Sequence, residues 1–172
     1  MVEKKTIKDP TYLREIEVKF KKKRVSADAP TGQILTDPNT VVELFRDMQN
    51  EGKEKIIAIS LNIKLKIIAF EVVNIGTPRS VYAQPGEITR TPVMVAASGM
   101  IVVHNHPSGD PSPSEEDRDF TWHLTVACEV LRIPLHDHVI IGEDDFYSFA
   151  ADGWIEKFQR KAREQIEGQR PK

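Results

Sequence analysis

Two histidines one residue apart, His104 and His106, close the apolar run Met100-Ile-Val-Val103 and are followed by Pro107, Ser114 and Asp117. Alternate residues of a β-strand share a face, so the two imidazoles should project together. Ser114-Glu-Glu-Asp117 has the form of a helix-opening capping box, with Ser at the N-cap and a carboxylate at N3 held in a set direction. Two imidazoles and one carboxylate are the ligand set of a catalytic zinc that keeps a fourth position open for water. The spacing therefore predicts a Zn2+ site made by His104, His106 and Asp117. Asp110, between Pro107 and Pro111, is a rival ligand that could equally be exposed and idle; the helix-entry Asp117 is preferred.

Hydrolysis at such a site also needs a base to take a proton from water, and neither ligand imidazole is free for it. Glutamate suits the task, because burial and a nearby metal tune it toward neutral pH. Glu54, at the mouth of an apolar strand, and Glu87, at the start of a short helix, both qualify. Spacing alone does not choose between them. A second pair, His136-Asp-His138, has no acid at helix-start spacing after it. His138 is therefore expected to pack or hydrogen-bond near the site, with His136 at the surface. His123 falls on a long helix, as a packing or exposed residue and not a ligand. The single cysteine, Cys128, excludes a Cys-based zinc site and a disulfide framework, and reads as a small buried hydrophobe.

These residues need a frame. Asp37-Pro38 supplies an N-cap and a first-turn proline for a helix whose Val41, Leu44, Phe45 and Met48 form an apolar stripe, with Gly52 at its end. Residues 55–61 and 65–73 read as strands three residues apart, hence as an antiparallel hairpin. Their adjacent apolar residues point to a sheet covered on parts of both faces. A turn at 76–78 and a short strand at 80–83 follow. Pro85 opens a helix that Pro92 should split into two short pieces or kink, since an interior proline costs about 3 kcal/mol. Strand 100–104 is apolar and so central, and three prolines stiffen the loop over 105–113. A long helix runs from Ser114 to about Arg132. Strand 138–141, a turn at 142–145 and strand 147–149 complete the sheet, and 154–165 form a terminal helix with Trp154, Ile155, Phe158 and Ala162 on one side.

The chain has 172 residues, enough for one compact domain with short appendages. Its 24 basic and 26 acidic side chains, net charge −2, argue against a dedicated nucleic-acid binder. Upstream, Ile16, Val18 and Phe20 alternate with charges as in a half-buried edge strand, and the Lys21-Lys-Lys-Arg24 run reads better as its solvated end than as a nucleic-acid patch. No apolar run approaches the ~18 residues of a membrane span, and the first residues lead into no signal core. A cytoplasmic protein without a membrane partner is expected.

The series His104-Asn-His106-Pro, Ser114 and Asp117 resembles the JAMM motif of the JAB/MPN metalloprotease superfamily. More narrowly, His104-Asn-His106-Pro-Ser-Gly109-Asp-Pro, Gly76-Thr77 and Asp137-His138-Val-Ile-Ile-Gly142 are similar to the RadC-like group. That resemblance implies an α/β fold of the α+β type: a curved mixed sheet flanked by helices, in JAB/MPN (cytidine-deaminase-like) architecture. It divides the chain into an N-terminal extension over 1–36, the RadC-like JAB/MPN domain over 37–153 and a C-terminal helix and tail over 154–172. His104, His106 and Asp117 would be the zinc ligands, Ser114 would hydrogen-bond the water or the developing oxyanion, and Glu54 becomes the preferred base. The implied function is a zinc-dependent metallohydrolase of peptide or isopeptide bonds, in a family associated with DNA repair, acting on a protein or peptide substrate. The alternative is a metal-stabilised binding module in DNA repair or a mobile genetic element, with little or no hydrolysis. Full-length relatives add a helix-hairpin-helix module, for which residues 1–36 are too few and too strand-like, so a nucleic-acid partner is weakly supported. The deaminase pattern of His-x-Glu with Pro-Cys-x-x-Cys is absent.

Overall fold

The computed structural model describes residues 34–35, 37–75 and 83–168. Helix α1, Pro38–Phe45, begins where Asp37 accepts a hydrogen bond from the Asn39 amide, and passes into a 3-10 turn over Arg46–Asn50. Strands β1 (Lys55–Leu61) and β2 (Ile67–Ile75) form the expected antiparallel hairpin. Its turn is five residues long instead of three, because Asn62 accepts from the amides of Lys64 and Lys66. Helix α2 is Pro85–Met94, β3 is Gly99–Asn105, α3 is Glu115–Leu131, β4 is Leu135–Ile141, β5 is Phe146–Ser148 and α4 is Trp154–Gly168.

The sheet runs β2-β1-β3-β4-β5 and is mixed, with β3 and β4 parallel and the other neighbours antiparallel. Every residue of β3 is buried, as its apolar sequence requires of a central strand. Its two faces meet different layers. Met100 and Val102 pack with Ile88 of α2, Leu124 and Cys128 of α3 and Ile155 of α4. Ile101 and Val103 pack with Val41 of α1 and Met48 of the 3-10 turn. The side chains of β3 thus alternate between a three-helix layer and a one-helix layer.

Two sequence expectations are corrected. Helix α2 is one continuous helix, not two pieces, and Pro92 is its eighth residue. A proline in the last turn forfeits one intrahelical bond, while Pro85 at the first turn forfeits none. Strand β4 begins three residues earlier than expected and carries a bulge: Met100 pairs with Leu135 but Ile101 with Asp137, leaving His136 as the extra residue. His136 is accordingly half-buried and not at the surface. The edge strand around Ile16–Phe20, the Lys21–Arg24 run and the turn and strand sought over 76–82 lie outside the described residues. Among the described residues no helix is long and apolar enough to cross a membrane.

Candidate metal centre

His104 is the sixth residue of β3 and points toward the three-helix layer; His106 follows one residue after the strand ends. Its ring is fixed by the loop behind it, where the Nδ1–H donates to the Asp110 carbonyl at 2.8 Å. A carbonyl only accepts, so the lone pair of His106 lies on Nε2, facing His104. Asp110 serves through its backbone alone. Its carboxylate turns away to accept from the Ser112 amide, so this rival ligand is not in the cluster.

That loop is braced against the β4–β5 turn. The His106 amide donates to the Ile141 carbonyl, and the Glu143 amide to the Gly109 carbonyl. Gly142 permits the contact, since a Cβ there would sit 2.4 Å from the Gly109 carbonyl oxygen. Gly109 itself takes φ of 84° at the bend.

Ser114 caps α3. Its hydroxyl oxygen accepts from the Asp117 amide at 3.0 Å, and its own amide and hydroxyl donate to Asp117 Oδ2 at 2.8 and 2.6 Å. The cap aims the carboxylate at the two rings, with Oδ1 3.2 Å from His104 Nε2 and Oδ2 3.4 Å from His106 Nε2. The two Nε2 atoms are 3.0 Å apart. Ligands ~2.0–2.1 Å from a tetrahedral zinc lie roughly 3.3 Å from one another. The two ring nitrogens are near that separation, the carboxylate sets one oxygen near it from each ring, and one ligand atom per residue lies within 4.8 Å of the others. Among the described residues they are the one His, Cys, Asp or Glu cluster able to hold a metal.

Electrostatics follow from this crowding. Burial opposes the charge on Asp117, but its close contacts with the His104 and His106 rings and with the Ser114 hydroxyl outweigh it and hold the carboxyl well below the usual carboxylate range. Burial likewise disfavours a charged His106, yet Asp117, the Asp110 carbonyl and the charge on Glu54 together raise its pKa. Asp117 is thus an anion facing two imidazoles, a set that could hold a metal ion.

The family model described as a RadC-like JAB domain matches residues 35–154. The chain belongs to that family. It is 37% identical over 143 residues to a UPF0758 protein of Aquifex aeolicus, covering 82% of this chain and 58% of that relative. To a UPF0758 protein of Thermotoga maritima it is 43% identical over 113 residues, covering 66% and 51%, and to one of Methanosarcina barkeri 33% over 128 residues, covering 74% and 56%. The chain spans about half the length of the curated relatives it matches.

Within this RadC-like domain the two candidate bases differ. Glu87 is exposed, and its carboxylate accepts from the Gln84 amide to cap α2. Glu54 is half-buried on the segment entering β1, where its charge is felt by His106.

Two residues that the sequence reading passed over, Asn105 and Thr121, frame the site together with His138. Asn105, between the ligand histidines, faces the opposite layer and is fully buried. Its side chain accepts from the Lys55 amide at 2.8 Å and donates to the Lys53 carbonyl at 3.2 Å. It ties the backbone on both sides of Glu54 to the histidine strand. Thr121 and His138 lie behind His104: His138 Nε2 is 2.7 Å from His104 Nδ1, and Thr121 Oγ1 is 2.6 Å from His138 Nδ1. Burial pushes the pKa of His138 well down, helped by the neighbouring His104, so its ring is neutral. His138 does hydrogen-bond beside the site, as its position in the sequence suggested, whereas exposed His123 does not reach it. Buried Asp137 belongs to the fold, accepting from the amides of His138 and Ala150 and the Ser148 hydroxyl. Cys128 is buried as expected, and burial pushes its thiol up to about 12.

Proposed function

We propose that this protein is a zinc-dependent hydrolase of peptide or isopeptide bonds, with His104, His106 and Asp117 as ligands, Glu54 as general base and Ser114 as a supporting donor. One observation carries the proposal: two imidazole nitrogens 3.0 Å apart, from a strand and a loop, meet an ionised helix-entry carboxylate that sets one oxygen 3.2 Å from the first and its other oxygen 3.4 Å from the second. Zinc supplies a Lewis acid for the scissile carbonyl and a water of lowered pKa.

The chain's own residues perform the remaining work. Glu54 takes the proton from the attacking water and returns it to the leaving amine, a role that asks for a carboxylate close to the ligands but outside their set. Asn105 supports this by clamping the backbone on either side of Glu54. Ser114 first holds Asp117 in its direction. Its hydroxyl can serve a developing oxyanion only by leaving Asp117 Oδ2, its partner at 2.6 Å. The substrate on this reading is a protein or peptide, the molecules that carry peptide and isopeptide bonds.

The test is Glu54→Gln, assayed on peptide and isopeptide libraries alongside zinc analysis. The variant should keep its zinc and lose about 100-fold or more in kcat, the usual contribution of a positioned general base. Full activity in that variant would remove Glu54 from the mechanism.

A further inference from the structure

The atoms behind His104 fix more than its position. Thr121 Oγ1 lies 2.5 Å from the Asp117 carbonyl, one helical turn back, and 2.6 Å from His138 Nδ1. A carbonyl cannot donate, so at that distance the single hydroxyl proton of Thr121 must lie on the Asp117 side. Thr121 Oγ1 is then an acceptor toward His138, and His138 carries its proton on Nδ1. His138 is fully buried and stacked on Phe149, rings 6° from parallel and centroids 4.9 Å apart. Such a ring is neutral and has one proton to place. With Nδ1 protonated, its Nε2 is a lone pair, and the 2.7 Å contact to His104 Nδ1 requires His104 to donate.

We infer that His138 and Thr121 form a one-way hydrogen-bond relay that locks His104 as its Nδ1–H tautomer, so that His104 Nε2 is held as a bare lone pair at the cluster centre. Both are positioning residues. The relay starts on His104, one ligand, and ends on the backbone carbonyl of Asp117, another, so the histidine strand and the helix entry are orientated by one buried chain. The opposite polarity would put a proton on His104 Nε2, inside the cluster. It would also leave the Thr121 oxygen 2.5 Å from a carbonyl with no hydrogen between them. Partners of this kind behind a ligand histidine are typically worth about 10–100-fold in metal affinity.

The affinity arm of the test rests on the zinc reading above; the tautomer arm does not. Long-range proton–nitrogen NMR of the metal-free 172-residue chain should show the His104 ring proton on Nδ1. Zinc affinity, measured by chelator competition, should fall about tenfold in Thr121→Val, which keeps the shape and loses the hydroxyl, and stay within about twofold of the parent in Thr121→Ser. His138→Phe, which keeps the stack on Phe149, should lose more. A His104 proton on Nε2, or a Thr121→Val variant that binds zinc like the parent, would overturn the relay. If the parent binds no zinc, the metal reading falls and the NMR result alone decides the relay.

Discussion

His104 and His106 present the same atom to the same point, yet they are held by opposite means. His104 is a core residue, 4% exposed, backed by the side chains of His138 and Thr121 from another strand and a helix. His106 sits in a loop, backed by the main-chain carbonyl of Asp110 four residues on. One ligand is orientated by side chains from two other elements, the other by the main chain of its own loop. Part of the site therefore belongs to the protein's core, and loss of that part should be felt by the fold as well as by the metal.

The comparison breaks most visibly when each histidine is removed in turn. His104→Ala and His106→Ala should each abolish stoichiometric zinc, by elemental analysis. In metal-free protein His104→Ala should also cost about 2–3 kcal/mol in urea unfolding, because it leaves a cavity and a buried His138 nitrogen without its donor. His106→Ala should cost less than about 1 kcal/mol. Equal losses would mean that the two rings are not held differently.

A second prediction acts on the loop. Gly142→Ala places a methyl 2.4 Å from the Gly109 carbonyl and 2.8 Å from Pro111 Cδ, so the His106 loop must shift. We expect about 1–3 kcal/mol of destabilisation and weaker zinc binding, read by a chelator titration, with the His104 tautomer unchanged. The smallest effect belongs to Asp110→Ala. Only the carbonyl of Asp110 faces His106, so zinc affinity should stay within about twofold and stability within about 0.5 kcal/mol; a large loss would restore the carboxylate as a ligand.

What was legible in the sequence was what depends on short spacing. His104 and His106 share a face because strands repeat every two residues, and Asp117 was readable because the capping box that aims it lies within four consecutive residues. Asn105 was hidden in plain view: its partners Lys53 and Lys55 lie about fifty residues away, and the side that a strand residue faces does not name what it meets there. The relay was illegible for the same reason, joining residues from β3, α3 and β4. The bulge at His136 leaves no mark in a run of apolar and polar residues, so the start of β4 was missed. Pro92 was judged by its type and not by its place: near the end of a ten-residue helix, one lost bond does not divide it. Spacing does not separate Glu54 from Glu87; the family resemblance favours Glu54, and the structure adds that Glu87 is engaged as a cap.

The most direct test of the whole account is zinc stoichiometry by elemental analysis of the purified protein beside its Asp117→Ala variant. We predict about one ion per chain in the parent, since the three donors form a single site, and none in the variant. Zinc retained at the same level after Asp117→Ala, or a parent that takes up no divalent metal at all, would contradict it.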